Sequence, residues 1–556
     1  MAIRMDIKRS QVYRELTSED RDYWFSLKEH KSLHHIDTLY YSVKLLEERV
    51  FEGQMESPEM LRFLKALEDV KCTKQSDMQS DVSFHGFSVE LKSFSLYSYC
   101  LSEHEMYDIF IAKTVPTEDT PRVVVQLRTQ ALIQNGVMES IMESFERVRQ
   151  MLSHFGLEVT ELNENRIDYA WHTNSIQNVN VFMDDTYLKK HLKSNARNGM
   201  KHFNPQTYDY NYLAIGNRRS NNIFCRIYDK TREVIEECYK GFFLDRWLDN
   251  GLINRYDYFC LQRAYERKSY TVGLLVGRID WYLSFGSSTE LKEKLQKLKE
   301  TCDIKSSNSK QIKKVLNEQG LVDEEEAAPD PEDVDTCTVA LKGIVPAVTT
   351  VLNVEYQTKR AFYNTLDKMI NGISIKGIDP IYERVSKVLT CEAAICDYLT
   401  SYGGTMSFVR DRSVRYTSDD LEDHPEEVYM DFWYRLRRTK IRKKGDPILF
   451  RTYAHQSDLK RMESQLLGKI ASYGMLLRQN SKDDHTFAED VSDVLCRLND
   501  NDLYALDERR MLAIKVAESF TNKLYPEIRQ RKKRMMRNLC EVPEAAEEEN
   551  ENPGEA

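Results

Sequence analysis

The segment Phe224-Cys225-Arg226-Ile227-Tyr228-Asp229-Lys230 alternates like a half-buried strand. Cys225 and Ile227 take one face, and Arg226, Tyr228 and Lys230 take the other. A phenol between two cations has the makings of a phosphodiester nucleophile, because the cations neutralise the phosphate and favour the phenolate. Arg166-Ile167-Asp168-Tyr169-Ala170-Trp171-His172 alternates in the same way. Ile167, Tyr169 and Trp171 face the core, and Arg166, Asp168 and His172 face outward. Asp168 and His172 lie about 13 Å apart along an ideal strand, so both reach one metal ion only if the strand bends. In Arg255-Tyr256-Asp257-Tyr258-Phe259 a third strand would carry Asp257, a candidate ligand for a divalent ion that polarises the phosphate. The plainer roles are ion pairs, Asp168 with Arg166 and Asp257 with Arg255, and a satisfied strand histidine for His172. Glu266, between Arg263 and Arg267, reads as a surface ion pair.

The elements that must position these groups form an α+β fold with an antiparallel sheet. Strands are expected at 35–45, 87–101, 121–133, 165–173 and 253–265, with a hairpin of 210–216 and 222–230 turning at 217–220. Helices are expected at 138–156, ending at a C-terminal glycine, at 184–196 and at 231–239. The acidic, Pro-containing stretch 322–335 reads as a linker. The expected organisation is a catalytic α+β domain over 1–315, an acidic linker over 316–337, a mainly helical DNA- or partner-binding domain over 338–540, and a disordered acidic tail over 541–556. Amphipathic helices are expected from 358, 378, 457 and 507 onward, with a small β-wing at 406–417.

These pieces in this order resemble the rolling-circle replication initiation factors of plasmids, phages and conjugative elements. RIDYAWHT is similar to their R-hydrophobe-D strand. IGNRRSNNIFCRIYDK is similar to their glycine turn followed by R-I/V-Y-D/E-K, and NRYDYF to their last R-x-E/D strand. The likeness spans about residues 35–285. It implies that Tyr228 nicks one DNA strand at an origin, leaving a 5′-phosphotyrosine and a 3′-OH primer. Arg226 and Lys230 would stabilise the phosphate. Asp168 and Asp257, with His172, would hold Mg²⁺ or Mn²⁺. Two departures stand out. Asp257 occupies a position usually held by Glu, and Ala214 stands two residues before the turn glycine, where relatives often have Tyr. Tyr212 is the nearest phenol, and Tyr212, Tyr256 and Tyr258 are candidates for a second nucleophile. The His-hydrophobe-His motif of related relaxases is absent from the chain. The same chemistry would serve a conjugative relaxase at a transfer origin. A non-catalytic DNA-binding or scaffold protein of the same fold is the reading from another class.

The net charge argues against nucleic acid as a partner, but its distribution reverses that reading. The chain has 556 residues and a net charge of −10. Glu318–Asp335 holds nine acidic and no basic residues, and Glu541–Ala556 holds seven and none, so the remainder is net positive. Ten Lys/Arg against four Asp/Glu crowd 185–234. The expected phosphate contacts there are Lys189, Lys190, Lys193, Arg197, Arg218 and Arg219. A second cluster, 435–444, has seven basic residues, including Arg437, Arg438, Lys443 and Lys444, and a third, 529–537, has six.

The expected partner is DNA, single-stranded or as a supercoiled origin. The helical half would bind origin duplex or a host helicase, and a homodimer is open. With 41% hydrophobic and 30% charged residues the chain reads as globular. No apolar run is long enough to span a bilayer, and the first ten residues have no apolar stretch, so no signal peptide is expected. Eleven scattered cysteines without a C-x-x-C motif point to a reducing cytoplasm.

Overall fold

A computed structural model describes residues 7–27, 31–46, 56–78, 80–92, 97–114, 121–176, 179–182, 184–194, 199–203, 210–218, 222–237, 240–304, 309–321, 341, 343–366 and 370–440. All of these belong to the first of two compact units, Met1–Phe450, the second being Arg451–Ala556. The strands are β1 (Ser32–Leu45), β2 (Ser83–Phe84), β3 (Phe87–Glu90), β4 (Tyr97–Glu103), β5 (Tyr107–Ala112), β6 (Val123–Leu127), β7 (Val159–Thr173), β8 (Leu192–Ser194), β9 (Gly199–Phe203), β10 (Tyr210–Ile215), β11 (Ile223–Asp229), β12 (Leu352–Lys359) and β13 (Met406–Phe408). Eleven of them form one sheet, in the order β2-β3-β4-β5-β6-β1-β7-β12-β11-β10-β9. Every pairing in it is antiparallel. The fold is α+β, as the alternation of the strands implies.

Most expected elements fall where their periodicity puts them. β7 takes in the RIDYAWHT alternation, and β10 and β11 make the expected hairpin. The helix expected at 138–156 is Val137–His154, followed by Gly156 at φ 81°, a left-handed position that glycine adopts without strain.

Two expectations are corrected, and both bear on the site. The segment 253–265 is a helix rather than a strand. Its aromatic residues suggest β structure, but Tyr256, Cys260, Leu261 and Ala264 are buried at helical spacing. Asn254 and Asp257 close a reciprocal capping box at its start. The next helix, Thr271–Phe285, packs closely on it through two glycines. A Cβ on Gly273 would lie 2.6 Å from Ala264 Cα, and one on Gly277 would lie 2.8 Å from Cys260 Cα.

The second correction concerns the domain boundary. The acidic stretch 322–335 lies outside the described residues, but the chain beyond it does not begin a separate helical domain. Leu352–Lys359 returns as β12, between β7 and β11. The helix expected from 358 begins only at Arg360 and ends at Thr365. A β-rich sequence, Leu-Asn-Val-Glu-Tyr-Gln-Thr, therefore completes the sheet that the N-terminal part had left open. The β-wing expected at 406–417 is reduced to β13, which pairs with β8. The helices expected from 457 and 507, the basic cluster 529–537 and the acidic tail lie outside the described residues.

One face of the sheet carries a large apolar core under Val137–His154, Pro58–Ser76, Glu383–Thr390 and Glu392–Thr400. A second core joins the helices between Phe242 and Glu318. From that group α1 (Phe242–Asp249) sets Phe243 and Trp247 against the polar face of the sheet near β1 and β7. Among the described residues no helix is long and apolar enough to cross a membrane.

Candidate active site

The pairing of β7, β12 and β11 assembles the site. Asn353 lies opposite both His172 and Tyr228, Glu355 opposite Ala170 and Arg226, Gln357 opposite Asp168, and Lys359 opposite Arg166. No register shift interrupts these ladders, so all these residues share one face.

Tyr228 is buried, with 7% of its surface exposed. Its hydroxyl donates to Glu355 Oε2 at 3.1 Å and accepts from Asn353 Nδ2 at 2.8 Å. Lys230 Nζ stands 3.5 Å from the same oxygen. Arg226 lays its guanidinium over the Tyr228 ring at 4.6 Å and binds Glu355 through two donors, at 3.2 and 3.0 Å. Lys230 pairs with Glu233 at 2.5 Å. Arg226, Tyr228 and Lys230 thus converge as their alternation implies.

The expectation that two cations favour the phenolate is corrected. Burial raises the Tyr228 phenol well above its usual range. Lys230 and Arg226 pull it down, and Glu355 and Glu233 push it further up. Desolvation of an anion outweighs two cations that already serve carboxylates. The phenol is therefore neutral at physiological pH, and to act as a nucleophile it must give up its proton during the reaction. The group placed to accept it is Glu355, which is 2% exposed.

The residues expected to hold a metal do not come together. Asp168 is buried and gripped by two N–H donors of Arg166, one at 2.8 Å, while that guanidinium lies over Tyr40 at 5.1 Å. Asp257 is in the first turn of its helix, where it accepts from Asn254 N at 3.2 Å and Thr349 N at 2.9 Å. His172 is buried, and its Nδ1 accepts from Trp247 Nε1 at 3.0 Å. Among the described residues, no group of three or more His, Cys, Asp or Glu is arranged to hold an ion. The proposed set thus does not fit a divalent cation, because Asp168 is committed to Arg166 and Asp257 to a helix cap. Asp257→Asn should lower the melting temperature by about 2–6 °C, the cost of a weakened cap and a buried hydrogen bond. Its turnover per folded molecule should be unchanged, as scored by a melting curve beside a DNA-cleavage assay.

Sequence reasoning missed four residues. Asn353 and Glu355 were overlooked because their strand lies beyond the acidic stretch, and the polar alternation Asn353, Glu355, Gln357 was the signal available. His35 and Asp37 sit on β1, which was read as a strand without regard to its polar side chains. The ladder slips between Ile36 and Thr38, which puts Asp37 at a bulge. His35 lies 4.4 Å from His172, ring to ring, and 3.7 Å from the Asp37 carboxylate, which accepts from Thr129 Oγ1 at 3.1 Å. Burial, together with neighbouring positive groups, keeps both imidazoles neutral.

Burial, with Glu355 and Asp37 nearby, pushes Asp168 up to about 7 against the pull of Arg166. A carboxyl raised on folding adds stability below its unfolded value near 4, and that stability is lost as pH climbs through the folded value. The melting temperature of Asp168→Asn relative to the parent should therefore rise by several degrees (~3–8 °C) between pH 4.5 and pH 8. A difference that stays flat across this range would refute it.

The basic residues are scattered. Lys189 and Lys190 are exposed at the end of the helix Asp185–His191, and Lys193 on β8 lies over the Tyr402 ring at 5.1 Å. Arg218 is exposed in the β10–β11 turn. Arg437 is committed to Asp397 at 2.6 Å and covers Tyr429, and Arg438 covers Tyr434. Arg197, Arg219, Lys443 and Lys444 lie outside the described residues. Of the other phenols, Tyr256 donates to Pro346 O and Tyr258 to Asp245, both at 2.6 Å, whereas Tyr212 is the cross-strand neighbour of Tyr228. Glu266 pairs with Arg263 at 3.0 Å, as expected.

No known protein family matches this sequence, and no curated protein does. A solved structure of a rolling circle replication initiator protein from Geobacillus stearothermophilus aligns over 74% of this chain and 98% of its own. The TM-score is 0.29 and the identity 10%. A likeness at that level establishes no kinship, so function is read from the side chains themselves.

Proposed function

We propose that this chain nicks and rejoins one DNA strand through Tyr228 and thereby initiates rolling-circle replication of a mobile element. The observation that carries the reading is the Tyr228 hydroxyl, shared by Glu355, Asn353 and Lys230. The resemblance of RIDYAWHT and IGNRRSNNIFCRIYDK to the initiator motifs supports it, while NRYDYF, which lies in a helix, does not.

Tyr228 Oη attacks the phosphorus as Glu355 takes the phenolic proton. The bond to the 3′ oxygen breaks, and that oxygen leaves as a 3′-OH, with the proton held by Glu355 or one from water. The 5′-phosphate stays on Tyr228. Asn353 fixes the phenol through its N–H, which leaves the O–H pointed at the base. Arg226 and Lys230 supply positive charge to the phosphate as negative charge builds on its oxygens. Both are paired with carboxylates, so the incoming phosphate must compete for them, which makes the site selective for a well-placed polyanion. Rejoining runs the same steps in reverse, with a 3′-OH as the attacking group.

The test is covalent capture. The full chain is incubated with single-stranded DNA from the element that encodes it, in Mg²⁺, Mn²⁺ or chelator. Adducts are resolved on a denaturing gel and the modified peptide is mapped. A DNA-linked peptide covering Ile223–Lys230 supports the reading. An adduct on Tyr212 keeps the reaction and moves the nucleophile. DNA binding without any adduct supports a binding module, the second reading, which the burial of Tyr228 favours.

A further inference from the structure

The cations of 189–193 gain companions that are remote in sequence. β13 pairs with β8, setting Phe408 opposite Leu192 and Ser407 opposite Lys193. Two backbone bonds carry the contact past the strands. Val409 N donates to His191 O and Arg412 N to Lys190 O, both at 2.8 Å. His191 Nδ1 donates in return to Val409 O at 3.0 Å. The chain then turns. Ser413 N and Ser413 Oγ both donate to Asp411 Oδ1, at 2.8 and 2.6 Å, and the Tyr402 hydroxyl donates to Val414 O at 3.2 Å. A pinned turn therefore holds Arg412 against the end of the helix Asp185–His191. Segments 189–194 and 411–416 together carry five Lys/Arg and one acid, Asp411, whose carboxylate serves the turn. Lys189, Lys190, Arg412 and Arg415 are exposed, and none of the four side chains has an ion-pair partner among the described residues. The adjoining Arg410 is committed to Asp431 at 2.6 Å and stands outside the group. The group also stands apart from the nucleophile. Tyr356 alternates with Glu355 on β12 and faces the apolar core, and its hydroxyl donates to Met406 O at 3.1 Å, so β13 packs on the side of the sheet away from Tyr228.

Like charges gather at a cost that a bound polyanion removes, and the polyanion releases its own counterions as it binds. We propose that Lys189, Lys190, Lys193, Arg412 and Arg415 form one phosphate-binding surface that grips duplex DNA without regard to base sequence. This goes beyond the nicking reading and does not depend on it, because it is read by binding to intact duplex. The rings in the patch favour a duplex over a single strand. Tyr187 sits against His191 at 4.7 Å, Tyr402 against Tyr416 at 5.5 Å, and Lys193 covers Tyr402 at 5.1 Å. These half-buried rings are already engaged, so the patch presents charge rather than open ring faces on which unpaired bases stack. A duplex offers phosphates and needs no such platform. A protein partner fits less well, because Val414, 45% exposed, is the one exposed large apolar side chain in either segment, and a protein interface has an apolar centre.

The experiment uses the full chain, two duplexes of unrelated sequence and a single strand of the same length, with affinity measured across a salt series. The parent should bind both duplexes alike, within about twofold. Arg412→Gln/Arg415→Gln should weaken both about tenfold and lower the slope of log affinity against log salt by about two, with an unchanged melting temperature. Lys189→Gln/Lys190→Gln, in the other segment, should do the same. Acetylation of exposed amines, mapped by mass spectrometry, gives a local reading. Duplex should protect Lys189 and Lys190 in the parent, and should protect them less in Arg412→Gln/Arg415→Gln at the same DNA concentration, although that variant keeps both lysines. Parental affinity and salt slope in both variants, with the two lysines acetylated as in the free protein, would overturn the proposal. A loss as large for the single strand as for the duplexes would overturn the assignment to duplex. A parent that binds no DNA at low salt would overturn it outright and leave an acidic protein as the partner.

Discussion

Tyr228→Phe should abolish the covalent DNA adduct, a loss of at least about 10³-fold in nicking rate, because it removes the hydroxyl proposed to attack the phosphate. The ring is kept, so packing under Arg226 is kept as well. What disappears is one hydroxyl that joins Asn353, Glu355 and Lys230. Asn353 is fully buried and would lose the nearer of two acceptors for its amide, the other being Glu355 Oε2 at 3.3 Å, so a stability cost of about 1–2 kcal/mol is expected. Binding to single-stranded DNA should survive, since Arg226 and Lys230 remain. A variant that still forms adduct at the parental rate, mapped to another tyrosine, would remove Tyr228 from the reaction. If that other tyrosine were Tyr212, the cross-strand pair on β10 and β11 would be the active unit.

Glu355→Gln should slow adduct formation by about 10²–10⁴-fold, the usual contribution of a positioned general base. The argument follows from the buried phenol. Burial outweighs Lys230 and Arg226, so Tyr228 holds its proton at neutral pH and attack requires a base within hydrogen-bond reach. Glutamine has nearly the shape of Glu355 and accepts hydrogen bonds through its amide oxygen, but it cannot take the proton. It also frees Arg226 from its carboxylate. DNA binding in this variant should therefore stay equal or tighten while the chemical step slows. Single-turnover kinetics at saturating DNA, beside an affinity measurement, separate the two effects. Equal loss of binding and rate would make Glu355 a structural partner of Arg226 and nothing more.

Local pattern made the proposed nucleophile legible and hid its proposed base. Arg226, Tyr228 and Lys230 lie within five residues, and period-two alternation alone assigns them to one face. Asp168 and His172 were placed correctly on β7 for the same reason, but alternation says nothing about what they face across the strands. Glu355 is 127 residues from Tyr228 in the chain. No local periodicity links them, and the acidic stretch 322–335 reads as a boundary exactly where the chain is about to return to the sheet. Asp257 shows the converse error. A run of aromatic β-formers suggests a strand, but Asn254 and Asp257 satisfy the first N–H groups of a helix reciprocally, and apolar residues at helical spacing bury its face.

Charge and polarity by themselves determined that the chain is an α+β protein, with its net negative charge carried by two segments and a Tyr between cations on a strand. These are properties of neighbours in sequence. Tertiary structure decided which carboxylate meets that Tyr, that Asp168 belongs to Arg166, that Asp257 caps a helix, and that Lys359 lies opposite Arg166. Those outcomes depend on register between strands far apart in the chain. They depend also on desolvation, which is set by what covers a side chain rather than by what precedes it.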